Sequence, residues 1–147
     1  MNPRNTQSTQ SYVRDINNMH QHYGIHEAVD KLNKEQLRQM LTFRFDFLKE
    51  ELNEGYEAIE RGDSEEVVDA LIDLIVVAVG TLDLYDVDID KAWNQVLAAN
   101  MNKAVGIKAS RPNPLGLPDL IKPSDWTGPD HTGNHGMVPD AFALKVL

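Results

Sequence analysis

The sequence predicts an all-α protein, with a four-helix core bundle followed by an irregular C-terminal tail rich in proline and glycine. Apolar residues recur at the three- and four-residue intervals of an α-helix in four separate stretches. Residue types that favour helix ends stand at the borders of these stretches. From Gly106 onward lie six of the seven prolines and five of the nine glycines, so regular helix is not expected there.

The first two predicted helices are defined by apolar spacing and by their caps. Tyr12 begins a first helix, and Gly24 stands where a C-terminal cap belongs. Asn33 is the predicted N-cap of a second helix, with Gln36 as its capping-box partner. That helix continues until Gly62, a length close to 40 Å at about 1.5 Å per residue.

The third predicted helix begins at Asp63 or Ser64, which are good N-cap residues, and reaches Leu84. Between Val67 and Val79 it is apolar on nearly every face, which predicts the central, buried element of the bundle. Because only a two-residue turn separates it from the second helix, the two are expected to form an antiparallel hairpin.

A fourth helix is predicted from Asp88 or Asp90 to about Val105, where Gly106 ends it. The predicted organisation is therefore a helical domain over residues 1–106 and an extended tail over residues 107–147. Apolar residues interspersed among the prolines favour a tail that packs on its own or a neighbouring subunit. Short helix is expected again only at about residues 141–147.

Composition limits the classes of ligand and the compartment. The formal net charge is −9 and the pI is near 4.9, so a polymer of DNA or RNA is not an expected partner. No cysteine occurs, which excludes disulfides, thiolate metal sites and thiol catalysis. The first ten residues lack the apolar segment of a signal peptide, and no apolar run is long enough to span a bilayer. We therefore expect a soluble, cytoplasmic protein without membrane contact.

Acidic residues on the second and third helices form the main candidate site. Residues three or four apart share a helix face, so Glu51 and Glu54 project together, as do Glu66, Asp69 and Asp73. The short turn between the helices brings these two faces towards one volume. A carboxylate on an otherwise apolar helix is costly to bury without compensation, and a bound cation supplies it. Oxygen ligands alone indicate a hard cation, Mg²⁺ or as a substitute Mn²⁺.

Two alternatives stay open for these acids. A run of glutamates is often a solvated helix face, and this is our interpretation of Glu57 and Glu60. Asp73 is either a direct metal ligand or a neighbour bonded to Lys103 or an asparagine.

The motifs EELNE at 50–54 and EVVD at 66–69 resemble the EExxE and ExxD signature of the all-α nucleotide pyrophosphatases. That superfamily includes MazG-type enzymes, dimeric dUTPases and phosphoribosyl-ATP pyrophosphohydrolases. The stretch DALIDLIVVAVGTL with NMNK at 100–103 is most similar to the compact MazG-like or phosphoribosyl-ATP pyrophosphohydrolase-like proteins of phages and bacteria. The resemblance covers about residues 43–103.

The resemblance implies a reaction and roles for individual residues. The reaction is hydrolysis of a nucleoside triphosphate, or a deoxynucleoside triphosphate, between its α and β phosphates, which releases a monophosphate and pyrophosphate. The resemblance makes Lys103 a phosphate-binding residue, with Asn100 one helical turn before it, and Glu50 the group that orients or deprotonates the attacking water. The magnesium ligands that it implies are Glu51, Glu54, Glu66 and Asp69.

Several alternatives for function remain at this stage. Phosphoribosyl-ATP, the substrate of an enzyme of histidine synthesis, is the alternative substrate, and a non-enzymatic acidic interaction protein is the alternative class. A di-iron oxygenase would carry Glu-x-x-His pairs on two helices, and the predicted helices contain none. Candidates for reading the nucleotide base, kept outside the firm site, are Asn17, His20, Phe47 and Trp93.

Two further expectations concern other parts of the chain. His131 and His135 are spaced for a helical metal site, but the glycines beside them favour a loop. The apolar third helix has more apolar surface than one chain of this length readily hides, so we expect a homodimer or homotetramer.

Overall fold

The computed structural model describes residues 5–6, 8–111 and 113–142, and it confirms the all-α fold class. The chain divides into two compact units. The first contains the described parts of Met1–Ile89 and His135–Leu147, and the second contains the described parts of Asp90–Asn134.

Two short helices open the first unit. Helix α1 covers Tyr12–His22 and helix α2 covers Ile25–Asp30, and Gly24 lies between them with a φ of +68°. The predicted stop at Gly24 is therefore correct, because this left-handed conformation ends a helix and suits glycine. Helix α2 was not predicted, since six residues are too few to display a helical repeat.

The predicted hairpin of long helices is observed as α3, Lys34–Arg61, and α4, Ser64–Leu84. Asn33 and Gln36 form the predicted capping box, and the Asp63 side chain caps α4 by accepting a hydrogen bond from the backbone of Glu66. Gly62 ends α3 with a φ of +68°. The caps were predictable because they depend on residues adjacent in sequence.

Contacts along the hairpin show that α3 and α4 run antiparallel. Near the turn, a Cβ placed on Gly55 would lie 3.5 Å from that of Ala70. Further along, the Arg44 guanidinium donates to the Val77 carbonyl at 3.0 Å. At the far end the buried Tyr85 hydroxyl donates to the Leu37 carbonyl. Residues later in α3 thus contact residues earlier in α4, as expected for two antiparallel helices.

The core of the first unit lies at this far end of the hairpin. Val29, Leu37, Leu84, Tyr85 and Ala141 form one buried apolar cluster, in which Tyr85 is fully buried. Ala141 reaches it from the C-terminal segment as the last residue of a 3₁₀ turn, Val138–Ala141. The helix expected at about 141–147 falls largely on residues 143–147, which lie outside the described residues.

The second unit combines one helix with a small hairpin of strands. Helix α5 covers Ile89–Met101, and strand β1, Ala104–Gly106, pairs antiparallel with β2, Asp119–Ile121. The prediction that the fourth helix reaches Val105 is therefore wrong, because Val105 pairs with Leu120 in the strands. A Cβ on Gly106 would lie 2.6 Å from the Ile121 side chain, so glycine permits this close approach of the strands.

The prediction that α4 is buried on nearly every side does not hold for a single chain. Side chains on one face of the hairpin are exposed by 42–64%. We call this surface the hairpin face; it consists of Leu52, Tyr56, Ile59, Val68, Leu71, Ile72 and Ile75. Part of it lines an apolar cavity of about 230 Å³. Among the described helices, none has the length and apolarity to cross a membrane.

Because a contiguous apolar surface is a typical interface, we expect the hairpin face to be buried between copies of the chain. The chain should behave as a dimer or tetramer at micromolar concentration in light scattering. Leu71→Glu places a charge in the centre of this face and should shift the protein towards monomer. Ile107→Glu makes the same change at an exposed position outside the face, 86% accessible, and should leave assembly unchanged. A wild-type monomer would contradict this expectation.

Candidate active site

The acidic residues predicted from the sequence lie on the part of the hairpin nearest its turn. Glu51 and Glu54 stand on α3 within the four residues before Gly55, which meets Ala70 of α4. Glu66, Asp69 and Asp73 stand opposite them on α4. The small residues at positions 55 and 70 let the two backbones approach, so carboxyl groups from both helices share one region.

Glu51 is the most buried of these acids. Its residue is 8% exposed, and its Oε2 atom is buried without a hydrogen-bond partner. The pKa of Glu51 is raised above its ordinary value, first by burial and then by the negative charges of Glu54, Asp73 and Asp69. A buried carboxylate oxygen that lacks a donor is costly, so this site favours a cation or a proton.

The same repulsion affects two acids of α4. The pKa of Glu66 is raised by desolvation and then by the charges of Asp69 and Glu54. The pKa of Asp73 is raised by desolvation and then by the charge of Asp69. The five carboxyl groups therefore act on one another as a single electrostatic group. We call it the acidic cluster: Glu51, Glu54, Glu66, Asp69 and Asp73.

The donor set of the acidic cluster fits a hard divalent cation. It offers oxygen atoms alone, and the unpartnered Oε2 of Glu51 lacks the positive charge or hydrogen-bond donor that burial calls for. Among the described residues, the group of three His, Asp or Glu side chains whose ligand atoms all lie within 4.8 Å of one another is not in the acidic cluster. The carboxyl groups of the cluster are therefore more widely spaced, and we call this arrangement open. An open arrangement suits Mg²⁺, which keeps several water molecules and binds few carboxylates directly.

The other predicted site residues are not members of the acidic cluster. Glu50 lies exposed on α3, one residue before Glu51. Asn100 and Lys103 belong to the second unit, where Asn100 is exposed near the end of α5. The Lys103 ammonium lies 5.5 Å from the centre of the Trp126 ring, a cation–π distance. Their predicted roles towards phosphate stay predictions.

The base-recognition candidates divide into two groups. Asn17 and His20 both bind the carboxylate of Asp83, at 2.8 and 2.7 Å. Phe47 lies beside the Arg44 guanidinium, and Trp93 is 66% exposed in the second unit. We did not predict the role of Asp83, although it is a carboxylate on an apolar helix like Asp69 and Asp73.

The histidines of the C-terminal loop do not form a helical pair. The HTGNHG segment adopts turns, and Gly133 and Gly136 have φ values of +77° and +53°. The expectation of a loop is correct, because these conformations interrupt a helix.

The hairpin carries the EExxE motif on α3 and the ExxD motif on α4, the two motifs on which the resemblance to the all-α nucleotide pyrophosphatases rests. A protein-family model described as phosphoribosyl-ATP pyrophosphohydrolase matches residues 16–100. Because this match spans more than half of the chain, the chain belongs to that family, within the MazG-like all-α superfamily. A search of curated proteins gave no match.

Family membership establishes the class of reaction. The chain is a pyrophosphohydrolase of this superfamily. The matched segment contains all of the acidic cluster and Asn100, and it ends before Lys103.

Proposed function

We propose that the chain is a Mg²⁺-dependent pyrophosphohydrolase that cleaves nucleotides between the α and β phosphates. The products are a nucleoside monophosphate and pyrophosphate. The observation that carries this proposal is the buried, unpartnered Oε2 of Glu51 within five mutually repelling carboxyl groups. Such a group is poorly stabilised by the protein alone and is well suited to a divalent cation that also binds phosphate oxygens.

The residues that would hold the ion are Glu51, Glu54, Glu66 and Asp69, with Asp73 next to them on α4. When bound, Mg²⁺ offsets the charge on phosphate oxygens and lowers the pKa of a coordinated water. Asp73 would add a further negative charge beside the ion, since its charge already acts on Glu51. Mn²⁺ is an expected substitute because it accepts the same oxygen ligands.

The remaining residues act on water and phosphate. Glu50 would orient or deprotonate the attacking water; its exposed position leaves its carboxylate open to solvent. Lys103 and Asn100 would bind phosphate oxygens. For Lys103 this requires the ammonium to exchange its contact with the Trp126 ring for a phosphate, a change of partner that a flexible lysine side chain allows.

Phosphoribosyl-ATP is the second candidate substrate, favoured by the description of the matching family. Its hydrolysis and that of a common triphosphate share one chemistry, because both break the α–β anhydride and release pyrophosphate. The acidic cluster would serve either reaction equally. Selection between the two substrates must therefore depend on the pocket that binds the base and, in phosphoribosyl-ATP, the phosphoribosyl group.

Product analysis on a panel of substrates separates these alternatives. The panel contains the common ribo- and deoxyribonucleoside triphosphates and phosphoribosyl-ATP, each with and without Mg²⁺. We expect Mg²⁺-dependent formation of monophosphate and pyrophosphate from at least one triphosphate. Turnover of phosphoribosyl-ATP alone would assign the second substrate. Release of orthophosphate with a diphosphate, or no reaction with any member, would contradict the proposal.

A further inference from the structure

A second group of ionisable side chains lies at the other end of α4, about 21 Å along the helix from Asp69. His20 of α1, His26 of α2 and Asp83 of α4 meet there. The Oδ2 atom of Asp83 lies 2.7 Å from His20 Nδ1 and 2.7 Å from His26 Nε2. The two imidazole rings stand edge to face with centroids 5.7 Å apart.

The three side chains of this group differ in their exposure to solvent. The side chains of His20 and Asp83 are 4% and 7% exposed, whereas that of His26 is 33% exposed. Burial alone would raise the pKa of Asp83, but hydrogen bonds from His20, Asn17 and His26 outweigh it and lower that pKa. Asp83 is therefore a buried carboxylate with two imidazoles beside it, and the group opens to solvent at His26.

The ligand chemistry differs from that of the acidic cluster. One nitrogen from each histidine and one carboxylate oxygen lie within 4.8 Å of one another. Two imidazoles and a carboxylate form a ligand set typical of Zn²⁺ and related transition ions, whereas Mg²⁺ prefers oxygen alone. Asn17 Nδ2 donates to the other carboxylate oxygen of Asp83 at 2.8 Å, as outer-shell partners of metal ligands do.

We propose that His20 Nδ1, His26 Nε2 and the Asp83 carboxylate bind one Zn²⁺ or similar transition ion, with a water as fourth ligand. The ion would tie α1 and α2 to the end of α4. This site is separate from the magnesium site proposed above, and its test does not depend on hydrolysis.

Ion binding requires only a small change at this group. With metal–ligand bonds of about 2.0–2.2 Å, ligand atoms stand somewhat further apart than two hydrogen-bonded atoms do. His26 is the ligand that can move, because it is partly exposed and belongs to a six-residue helix.

Arg44 influences the same group. A Cβ on Gly80 would lie 2.6 Å from the Arg44 guanidinium and 3.3 Å from the His20 ring, so the two side chains are neighbours. The positive charge of the guanidinium repels a cation bound at His20. The charge of Asp83 offsets the repulsion between Arg44 and an ion.

The rival interpretation is a metal-free hydrogen-bond network that joins the three helices. His26→Gln distinguishes the two, because glutamine retains an N–H donor for Asp83 and lacks the imidazole ligand. His22→Gln is the matched control: His22 is an exposed histidine of α1 whose ring contacts Tyr23. His22 lies outside the group of three ligands.

The experiment titrates the full chain with Zn²⁺ against a chromophoric chelator, in excess Mg²⁺ to occupy the acidic cluster. We expect one tightly bound Zn²⁺ in the wild type and in His22→Gln. In His26→Gln, affinity should fall by more than the roughly 10- to 100-fold that loss of an outer-shell partner costs. Unchanged affinity in His26→Gln would overturn the proposal.

Co²⁺ gives a second readout on the wild-type chain, so the test does not depend on the variant's folding. We expect the intense visible absorption of four-coordinate Co²⁺ with nitrogen and oxygen ligands, which Zn²⁺ should abolish. Weak absorption typical of six oxygen ligands would overturn the proposal. So would loss of Zn²⁺ binding in Glu51→Gln with the spectrum unaltered in His26→Gln, because the ion would then occupy the acidic cluster.

Discussion

Changing Glu51, Glu54, Glu66 or Asp69 singly to the matching amide should lower turnover by orders of magnitude while the protein remains folded. Each substitution keeps nearly the same volume and removes one negative ligand from the acidic cluster. The remaining carboxylates then hold Mg²⁺ less tightly, and the charge on the phosphates is less well offset. Steady-state release of pyrophosphate at saturating nucleotide and varied Mg²⁺ measures both effects.

Glu57→Gln is the control for these variants. Glu57 is an exposed glutamate of α3, the helix that also carries Glu51 and Glu54, and it lies outside the acidic cluster. Its substitution makes the same chemical change. It should keep wild-type turnover and Mg²⁺ dependence. Equal activity in Glu57→Gln and in all four cluster variants would show that the cluster does not serve catalysis.

Gly136→Ala should cause the largest loss of stability among the glycine substitutions. Gly136 has a φ of +53°, and a Cβ there would approach the Tyr85 carbonyl oxygen more closely than real Cβ atoms do. That oxygen also accepts a hydrogen bond from Met137 at 2.7 Å, which ties the C-terminal segment to the core. The left-handed conformation costs about 1–2 kcal/mol and the clash about 1–3 kcal/mol more.

Thermal or denaturant unfolding measures this loss. A destabilisation of about 2–5 kcal/mol corresponds to a fall in Tm of roughly 4–20 °C for a domain of this size. Gly133→Ala is the control, because Gly133 has a φ of +77° and no atom within 4 Å of its Cβ position. It should show the conformational cost alone, about 1–2 kcal/mol. An equal loss in the two variants would mean that the packing of Gly136 on Tyr85 contributes nothing.

The hairpin was predictable from the sequence because its determinants are local. Asn33, Gln36, Gly62 and Asp63 each act on backbone groups within a few residues, so their identities fix where α3 and α4 begin and end. The shared face of Glu51 and Glu54 follows from helix geometry in the same way. The grouping of these carboxyl groups therefore follows from the sequence, whereas their role towards a metal stays a prediction.

Features that depend on distant contacts were not predictable. Val105 is helical by its neighbours in sequence, yet it pairs with Leu120 in a strand. The group around Asp83 joins residues 57 and 63 positions apart, and no spacing rule relates them. Helix α2 depends on packing of Val29 into the core, since its six residues do not form a stable helix alone.

The raised pKa values give the acidic cluster a distinct pH dependence without metal. The ordinary pKa is near 4.5 for Glu51 and Glu66 and near 3.8 for Asp73, and in the folded protein all three pKa values are raised. These groups therefore contribute their full stabilisation of the folded state only at pH values below the ordinary pKa. That contribution is lost as pH rises through the raised folded-state values. At neutral pH, removing one of the charges therefore reduces the repulsion among the carboxylates of the metal-free protein.

Thermal melts of the wild type and Glu51→Gln, each with and without Mg²⁺ at neutral pH, test the central claim most directly. If Glu51, Glu54, Glu66 and Asp69 serve one metal site, the metal-free variant should be as stable as the wild type or more stable, because repulsion falls. Mg²⁺ should raise the Tm of the wild type by mass action and have little effect on the variant. A marked loss of stability in metal-free Glu51→Gln, with an undiminished response to Mg²⁺, would contradict the account, since that is the behaviour of a structural ion pair whose partner is left unpaired.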